Sequence, residues 1–247
     1  MKTALMISAF AVSLNACAID EVGVELDEVP ADSDSDGPHH EKLAANGMSS
    51  DMMLLTTIPV AKLTNAYADT MASTPEGRHV LQYLVGCALA SGATQVASYT
   101  SGGVQYTMTI PGSIGLYTGW KSLAPSLTSQ RLISSCMLSR MNESGASLTI
   151  SIRGTSYPMD AGETTSHTIQ EGAFFGNVFA GSDNYWGACD AAPATATSRQ
   201  CAQNGHCGVV TWAGACSTAC TGSSTLSCTA NGITWPTATV YLNAADF

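Results

Sequence analysis

The chain has 247 residues with a formal net charge of −10, 45% hydrophobic residues and only 11% charged residues. This composition excludes an intrinsically disordered protein, because enough apolar surface is present to build a core. From Lys42 onward ten acidic residues are balanced by eight basic ones, so most of the chain is nearly neutral. It therefore lacks the concentration of positive charge that nucleic-acid binding requires.

The first residues have the pattern of an export signal. Lys2 supplies a positive charge, and the apolar run 4–14 follows it. That run is far shorter than the roughly 20 residues of a membrane-spanning helix, and no other segment approaches this length. The sequence therefore predicts a signal peptide over residues 1–16 and no transmembrane helix. A buried N-terminal helix is the alternative, which the cysteine content and the acidic run behind the leader disfavour.

The apolar run ends in the sequence LNAC at residues 14–17. Leu14, Ala16 and Cys17 match the bacterial lipobox, which this segment resembles. Asn15 departs from the pattern. The resemblance implies lipid attachment at Cys17, cleavage before it, and a stable anchor of several acyl chains, with Ala18 favouring the outer membrane. The same residues also fit an ordinary signal-peptidase site, and cleavage after Ala18 would release a secreted protein.

Residues 17–53 are predicted to form an acidic, flexible tether. Eight acidic residues and no basic residue lie within 20–36, a composition that cannot bury enough surface to fold by itself. The sequence DSDSDG at 32–37 matches the opening of an EF-hand calcium loop, but Leu43 stands where the twelfth ligand should be an acid. We therefore favour an acidic spacer over a calcium site.

The body, residues 54–247, is predicted to be one α+β unit with two to three helices packed on a small antiparallel sheet. Helices are predicted at 57–71, 75–91 and 127–142, a hairpin at 95–99 and 104–110, and further strands at 148–153 and 234–242. Residues 172–179 form an aromatic, glycine-rich segment. Thr74 and Pro75 are a typical cap and first residue for the second helix. Pro236 predicts that the last strand lies at a sheet edge. Residues 181–231 lack periodicity, so they are expected to be loop-rich and to depend on disulfides.

Nine cysteines are present, and either processing route removes Cys17 from the count. Eight then remain, an even number that is typical of a disulfide framework in an exported protein. We predict one bridge between Cys87 and Cys136, which would clamp the second and third helices, and three bridges among the other six. Those six are Cys189, Cys201, Cys207, Cys216, Cys220 and Cys228.

No cofactor and no metal site is predicted. Structural zinc is an alternative use of the cysteine cluster, since Cys216 and Cys220 are four residues apart and His206 precedes Cys207. Paired C-x2-C knuckles are absent, however, and an oxidising compartment favours disulfides.

Several segments of the body resemble uncharacterised, cysteine-rich exported lipoproteins of myxobacterial type. They are YLVGCAL at 83–89, SSCMLSRMN at 134–142, ISIRG at 150–154, EGAFFGN at 171–177 and the cysteine-rich tail. The resemblance spans residues 80–242. It implies an exported lipoprotein and assigns no activity.

No catalytic residue is predicted, because the G-x-S-x-G, S-x-x-K, H-E-x-x-H and P-loop motifs are all absent. His167, with Ser166 or Glu171 as a partner, is the one group that could support acid–base chemistry, and paired carboxylates are a further option. The carboxylates concerned are Asp160, Glu163, Glu171 and Asp183. The alternative function is thus a secreted or surface hydrolase with an unrecognised active site around His167 and Glu171.

The favoured function is a cell-envelope lipoprotein with a binding or structural role. Its expected contacts are the membrane, through the lipid, and a protein or glycan partner. A neutral surface and four tryptophans are compatible with stacking on sugars, although each tryptophan taken singly is more often a core residue. The tryptophans are Trp120, Trp186, Trp212 and Trp235.

Overall fold

The structure is a computed structural model that describes residues 43–45, 48–142, 148–158, 161–181, 183–191, 209–223 and 226–246. The helices in these ranges are α1 Ser50–Leu54, α2 Asn65–Met71, α3 Pro75–Ala88, α4 Leu127–Ser139, α5 Ala161–Ser166 and α6 Cys216–Ala219. The strands are β1 Leu43–Ala45, β2 Thr94–Ser101, β3 Val104–Pro111, β4 Leu148–Arg153, β5 His167–Asn177, β6 Tyr185–Asp190, β7 Thr211–Ala215, β8 Cys220–Gly222, β9 Leu226–Ala230, β10 Ile233–Trp235 and β11 Thr237–Asn243. The predicted α+β fold class is confirmed.

The central sheet has six strands in the order β1-β4-β11-β5-β6-β7. Its pairings are antiparallel except for β6 with β7, which run parallel. A three-stranded sheet, β10-β9-β8, and the β2–β3 hairpin complete the strands of the described residues. The central sheet is therefore larger than the small antiparallel sheet expected from the sequence, because short segments far apart in the chain join it.

The prediction that the last strand lies at a sheet edge is wrong. Pro236 separates β10 from β11, and β11 pairs with β4 on one side and β5 on the other. All of β11 except Asn243 is buried. Pro236 lies between the two strands and not within either of them. Its lack of an N–H therefore removes no hydrogen bond from the β11 ladder.

The two longest helices form where their local signals predict them. Thr74 caps α3 by accepting a hydrogen bond from the backbone N–H of Gly77, with Pro75 as the first helical residue. Ser126 caps α4 in the same way. The helix predicted at 57–71 is shorter than expected, because the side chain of Thr64 caps a helix that begins only at Asn65.

The core lies between the helices and the central sheet. Helix α4 packs on β5 and β11, and α3 packs on α4. The α3 side of this core includes Val80, Leu81 and Leu84, which repeat with the helical period and are fully buried. A smaller apolar cluster surrounds Phe175, Trp235 and the C-terminal cysteines. Trp120, Trp186 and Trp235 are buried core residues, whereas Trp212 is 40% exposed.

Ordered structure is present on the N-terminal side of residue 54. Strand β1 pairs with β4 through Leu43 and Ile150, and α1 begins at Ser50 after a cap by Ser49. The compact unit that contains all of the described residues extends from Pro38 to Phe247. The calcium-loop motif at 32–37 and the leader lie outside the described residues.

Candidate functional site

His167 and its neighbours occupy a buried polar region where α5 meets β5. Ser166 ends α5 and His167 begins β5, so the two side chains are held at the junction. The Ser166 hydroxyl lies 2.9 Å from Nδ1 of His167 and donates to the carbonyl of Gly162 at 3.1 Å. His167 is 1% exposed and Glu171 is 3% exposed.

This geometry bears on the chemistry expected of a Ser–His pair. A hydroxyl has one proton, and when it goes to the Gly162 carbonyl the Ser166 oxygen accepts from Nδ1–H. The imidazole nitrogen that faces the serine then carries a proton and cannot act as its base. The contact therefore fits a structural hydrogen bond, and the described clefts are not lined by either residue.

Arg153 organises the same polar region from β4. Its Nε donates to the Ser151 hydroxyl, which donates to a carboxylate oxygen of Glu163 at 2.7 Å. Its Nη2 donates to the carbonyls of Glu163 and His167, and the guanidinium lies 3.7 Å from the ring centroid of Tyr241. A planar, multiply donating guanidinium suits this arrangement, in which one side chain ties β4, α5, β5 and β11 together.

Two of the candidate carboxylates, Glu163 and Asp183, have identified partners that are not carboxylates. Glu163 belongs to the Arg153 network, and Asp183 forms an ion pair with Arg131 at 2.9 Å. The Arg131 guanidinium also lies 4.6 Å from the centroid of the Trp235 ring. Asp160 lies outside the described residues.

A cleft of about 400 Å³ lies where α1 and the segment after it approach β5, β6 and β7. Its wall is formed by Met53, Leu54, Thr56, Thr57, Ile58, Val178, Ala180, Asn184, Tyr185, Trp186, Val209 and Thr211. None of these residues is charged, and the volume falls within the range of ligand sites. The exposed polar groups of Thr57, Asn184 and Thr211 could meet the hydrogen-bonding groups of an uncharged ligand.

Trp186 supplies the most specific feature of this cleft. The residue is 8% exposed, and its indole Nε1 is buried with no hydrogen-bond partner among the described residues. A buried donor without a partner costs about 1–3 kcal/mol, so a ligand acceptor that reached this nitrogen through a small movement of the cleft wall would be favoured. Burial raises the pKa of the neighbouring Tyr185 phenol above its ordinary value.

Gly176 of β5 lies opposite Trp186 and in close contact with the β6 backbone. Gly176 pairs with Trp186 and has φ +147°, a conformation that residues with a side chain rarely adopt. A Cβ at this position would lie 2.0 Å from the carbonyl oxygen of Tyr185. Only glycine allows β5 and β6 to approach this closely.

A second groove of about 640 Å³ lies on the other side of the Thr56–Thr57 segment, along α2 and the start of α3. Tyr67 lies in its wall and donates to the carbonyl of Pro59, and burial raises the pKa of its phenol. Leu55 lies in this wall and is 74% exposed. Its neighbour Leu54 lies in the wall of the first cleft and is 55% exposed. The sequence offered no sign of either groove, since their walls come from distant segments.

Three disulfides are present in the described residues. Cys87–Cys136 joins α3 to α4, and Cys189–Cys216 and Cys220–Cys228 lie in the C-terminal part. The disulfide framework is thus confirmed for these six cysteines. Cys216 and Cys220 have different disulfide partners, which argues against their use as a zinc pair. Cys17, Cys201, Cys207 and His206 lie outside the described residues.

Comparison of the chain with protein-family profiles, curated proteins and solved structures gives no match. Within the described ranges, no helix is long and apolar enough to cross a membrane.

Proposed function

We propose that this is an exported protein of the bacterial envelope, anchored by lipid on Cys17, whose body binds an uncharged partner. The leader sequence supports export and anchoring. The disulfides at Cys87–Cys136, Cys189–Cys216 and Cys220–Cys228 agree with an oxidising compartment. Ala18 after the lipidated cysteine favours the outer membrane as the destination.

The neutral cleft around Trp186 is the observation that carries the binding role. Its wall holds no charge, exposes hydroxyl and amide groups, and contains an indole N–H without a partner among the described residues. These features suit a glycan or an uncharged peptide segment, because both offer neutral hydrogen-bond acceptors beside apolar surface. A charged ligand would have to give up its hydration for a wall with no countercharge.

A glycan and neutral-peptide array probed with the mature protein tests this role. Trp186→Phe keeps an aromatic ring and removes the indole donor, so we expect the dissociation constant of an array hit to rise about 5- to 10-fold. Trp212→Phe is the matched control, since Trp212 is exposed and lies outside the cleft wall described here. Absence of any hit, or equal affinity in the Trp186 variant, would count against the cleft as a binding site.

Intact-mass analysis of membrane and culture-medium fractions tests the anchor. Lipidation predicts a membrane-bound species that begins at Cys17 with added acyl mass, and Cys17→Ser should remove that species. A mature protein that begins at Ile19 and collects in the medium would support export and refute lipid anchoring.

A hydrolase active site around His167 and Glu171 stays the alternative prediction. Ser166 lies beside Nδ1 of His167, as such a site would require, but its hydrogen bond to the Gly162 carbonyl makes Nδ1 a donor and not a base. The burial of both His167 and Glu171 disfavours it, because a substrate could not reach them without movement of the surrounding chain.

A further inference from the structure

The two C-terminal disulfides lie directly against each other. Sγ of Cys189, which is bonded to Cys216, lies 3.3 Å from Sγ of Cys220, which is bonded to Cys228. The sulfurs of Cys189, Cys220 and Cys228 all lie within 4.8 Å of one another. The two bridges are therefore in direct sulfur–sulfur contact.

The local fold creates this contact. Cys189 lies on β6, Cys216 begins α6 after β7, and Cys220 follows the last residue of α6. Cys228 lies opposite Cys220 in the β8–β9 ladder. The four-residue helix α6 therefore brings its first residue, Cys216, and the residue after its end, Cys220, beside Cys189 of β6.

The four cysteine residues differ in their exposure to solvent. Cys189 and Cys228 are completely buried and Cys216 is 3% exposed, whereas Cys220 is partly exposed. A reductant from solution can therefore reach the pair through Cys220. The Cys220–Cys228 bridge also spans only 8 residues, against 27 for Cys189–Cys216, so it limits the unfolded chain less.

We propose that these four cysteines form a thiol–disulfide exchange site whose reaction partner is a dithiol. A thiolate of the dithiol attacks Sγ of Cys220, the Cys220–Cys228 bond breaks, and Cys228 leaves as a thiolate that takes up a proton. The second thiol of the reagent then displaces Cys220. The dithiol is oxidised to its disulfide, and Cys220 and Cys228 are reduced.

An internal exchange follows this reduction. The Cys220 thiolate attacks Sγ of Cys189, a Cys189–Cys220 bond forms, and the Cys189–Cys216 bond breaks. Cys216 leaves as a thiolate and takes the proton that Cys220 gave up, so the exchange step has no net oxidation or reduction. The Cys189 bridge thereby moves from the first residue of α6 to the residue after its end, and Cys216 and Cys228 are left as thiols.

Partial reduction with dithiothreitol tests the site in the mature protein. The reagent is raised until the Cys220–Cys228 bridge has opened in half of the molecules, and acid quenching, alkylation and peptide mapping then assign the bonds. We expect the reduced molecules to carry a Cys189–Cys220 bond with alkylated Cys216 and Cys228. Alkylated Cys220 and Cys228 with an intact Cys189–Cys216 bond would overturn the proposal, as would loss of both bridges without any Cys189–Cys220 bond.

The variant Cys228→Ser provides a second test that needs no reductant. It frees the Cys220 thiol in the folded protein, so we expect at least a tenth of the purified molecules to contain the Cys189–Cys220 bond. Detection of Cys189–Cys216 alone, with Cys220 free, would contradict the exchange. The Cys87–Cys136 bridge is the internal control, because both of its cysteines are completely buried and it should stay oxidised in each experiment.

Discussion

Arg153 illustrates how buried polar side chains are satisfied in this protein. It is 6% exposed, and its donors go to the Ser151 hydroxyl and to the carbonyls of Glu163 and His167. Each of these acceptors would lose a partner if the guanidinium were removed, at a cost comparable to an unmade buried hydrogen bond. The region around His167 is therefore expected to stabilise the fold.

His167→Ala tests that expectation against the hydrolase alternative. Because His167 is buried beside Ser166, the substitution should lower the free energy of unfolding by about 2–4 kcal/mol, as measured by urea denaturation. His79→Ala is the matched control, since His79 is partly exposed and should cost less. Unchanged unfolding together with loss of a measured hydrolytic activity would instead favour the catalytic role.

Tyr67, which is buried, and Tyr157, which is partly buried, predict a loss of stability in alkaline solution. Burial raises the pKa of Tyr67, and burial also raises that of Tyr157 despite an opposing hydrogen bond with Ser135. The folded protein therefore favours the neutral phenols more strongly than the unfolded chain does. Their contribution to the free energy of unfolding is complete below a pH of about 10, the usual tyrosine pKa, and decreases as the pH rises above it. Each tyrosine should lower the free energy of unfolding by about 1 kcal/mol between pH 10 and 11.

Urea denaturation across this pH range measures the effect. A variant with both Tyr67→Phe and Tyr157→Phe should show a flatter decline than the parent protein. Tyr106→Phe, at an exposed position of the hairpin, should leave the decline unchanged. An identical slope in the double variant would refute the assignment to these two phenols.

The α3–α4 pair shows how a disulfide acts between elements. Both helices have their own caps and apolar faces, and the Cys87–Cys136 bond joins positions 49 residues apart. Loop-closure entropy grows with this separation, so a bridge across a long loop should stabilise the fold more than one across a short loop.

Removal of single bridges tests this dependence. Cys87→Ala with Cys136→Ala should lower the free energy of unfolding by about 4 kcal/mol, and Cys220→Ala with Cys228→Ala by about 2.5 kcal/mol. Urea denaturation of the two double variants gives the comparison under the same conditions. A larger loss from the shorter loop would show that packing in the small C-terminal cluster, and not loop closure, controls the effect.

Charge is distributed unevenly over the complete chain. Eight acidic residues lie in 20–36, whereas the chain from Lys42 onward has ten acidic and eight basic residues. The compact unit begins at Pro38, just after the acidic run. The described core therefore lies in the nearly neutral part of the chain, and the composition of residues 20–36 predicts that the acidic run buries little surface.

Deletion of residues 1–37 tests this separation. The fragment 38–247 should unfold with a free energy within about 0.5 kcal/mol of that of the mature protein, because the acidic composition of the deleted segment predicts that it buries little apolar surface. Thermal and urea unfolding of both forms provide the measurement. A substantially less stable fragment would mean that the acidic segment packs on the body.

Local signals in the sequence were sufficient for several elements. Thr74 with Pro75 located the start of α3, apolar residues at the helical period located its buried face, and glycines at 102–103 located the hairpin turn. These predictions succeed because capping, periodicity and turn formation depend on residues within a few positions of one another. The pairing of Cys87 with Cys136 followed from their isolation in the first half of the chain.

The candidate sites depend on contacts that no local pattern encodes. The wall of the Trp186 cleft is formed by residues from α1, the end of β5, β6 and β7. The 3.3 Å contact between the sulfurs of Cys189 and Cys220 requires α6 to lie beside β6. Pro236 wrongly predicts an edge strand for the same reason, since only the sheet order shows that β11 is central. The sequence by itself determined composition, caps, periodicity and the even cysteine count. Tertiary structure alone decided the strand order, the cleft and the sulfur contact, because each unites residues that are distant along the chain.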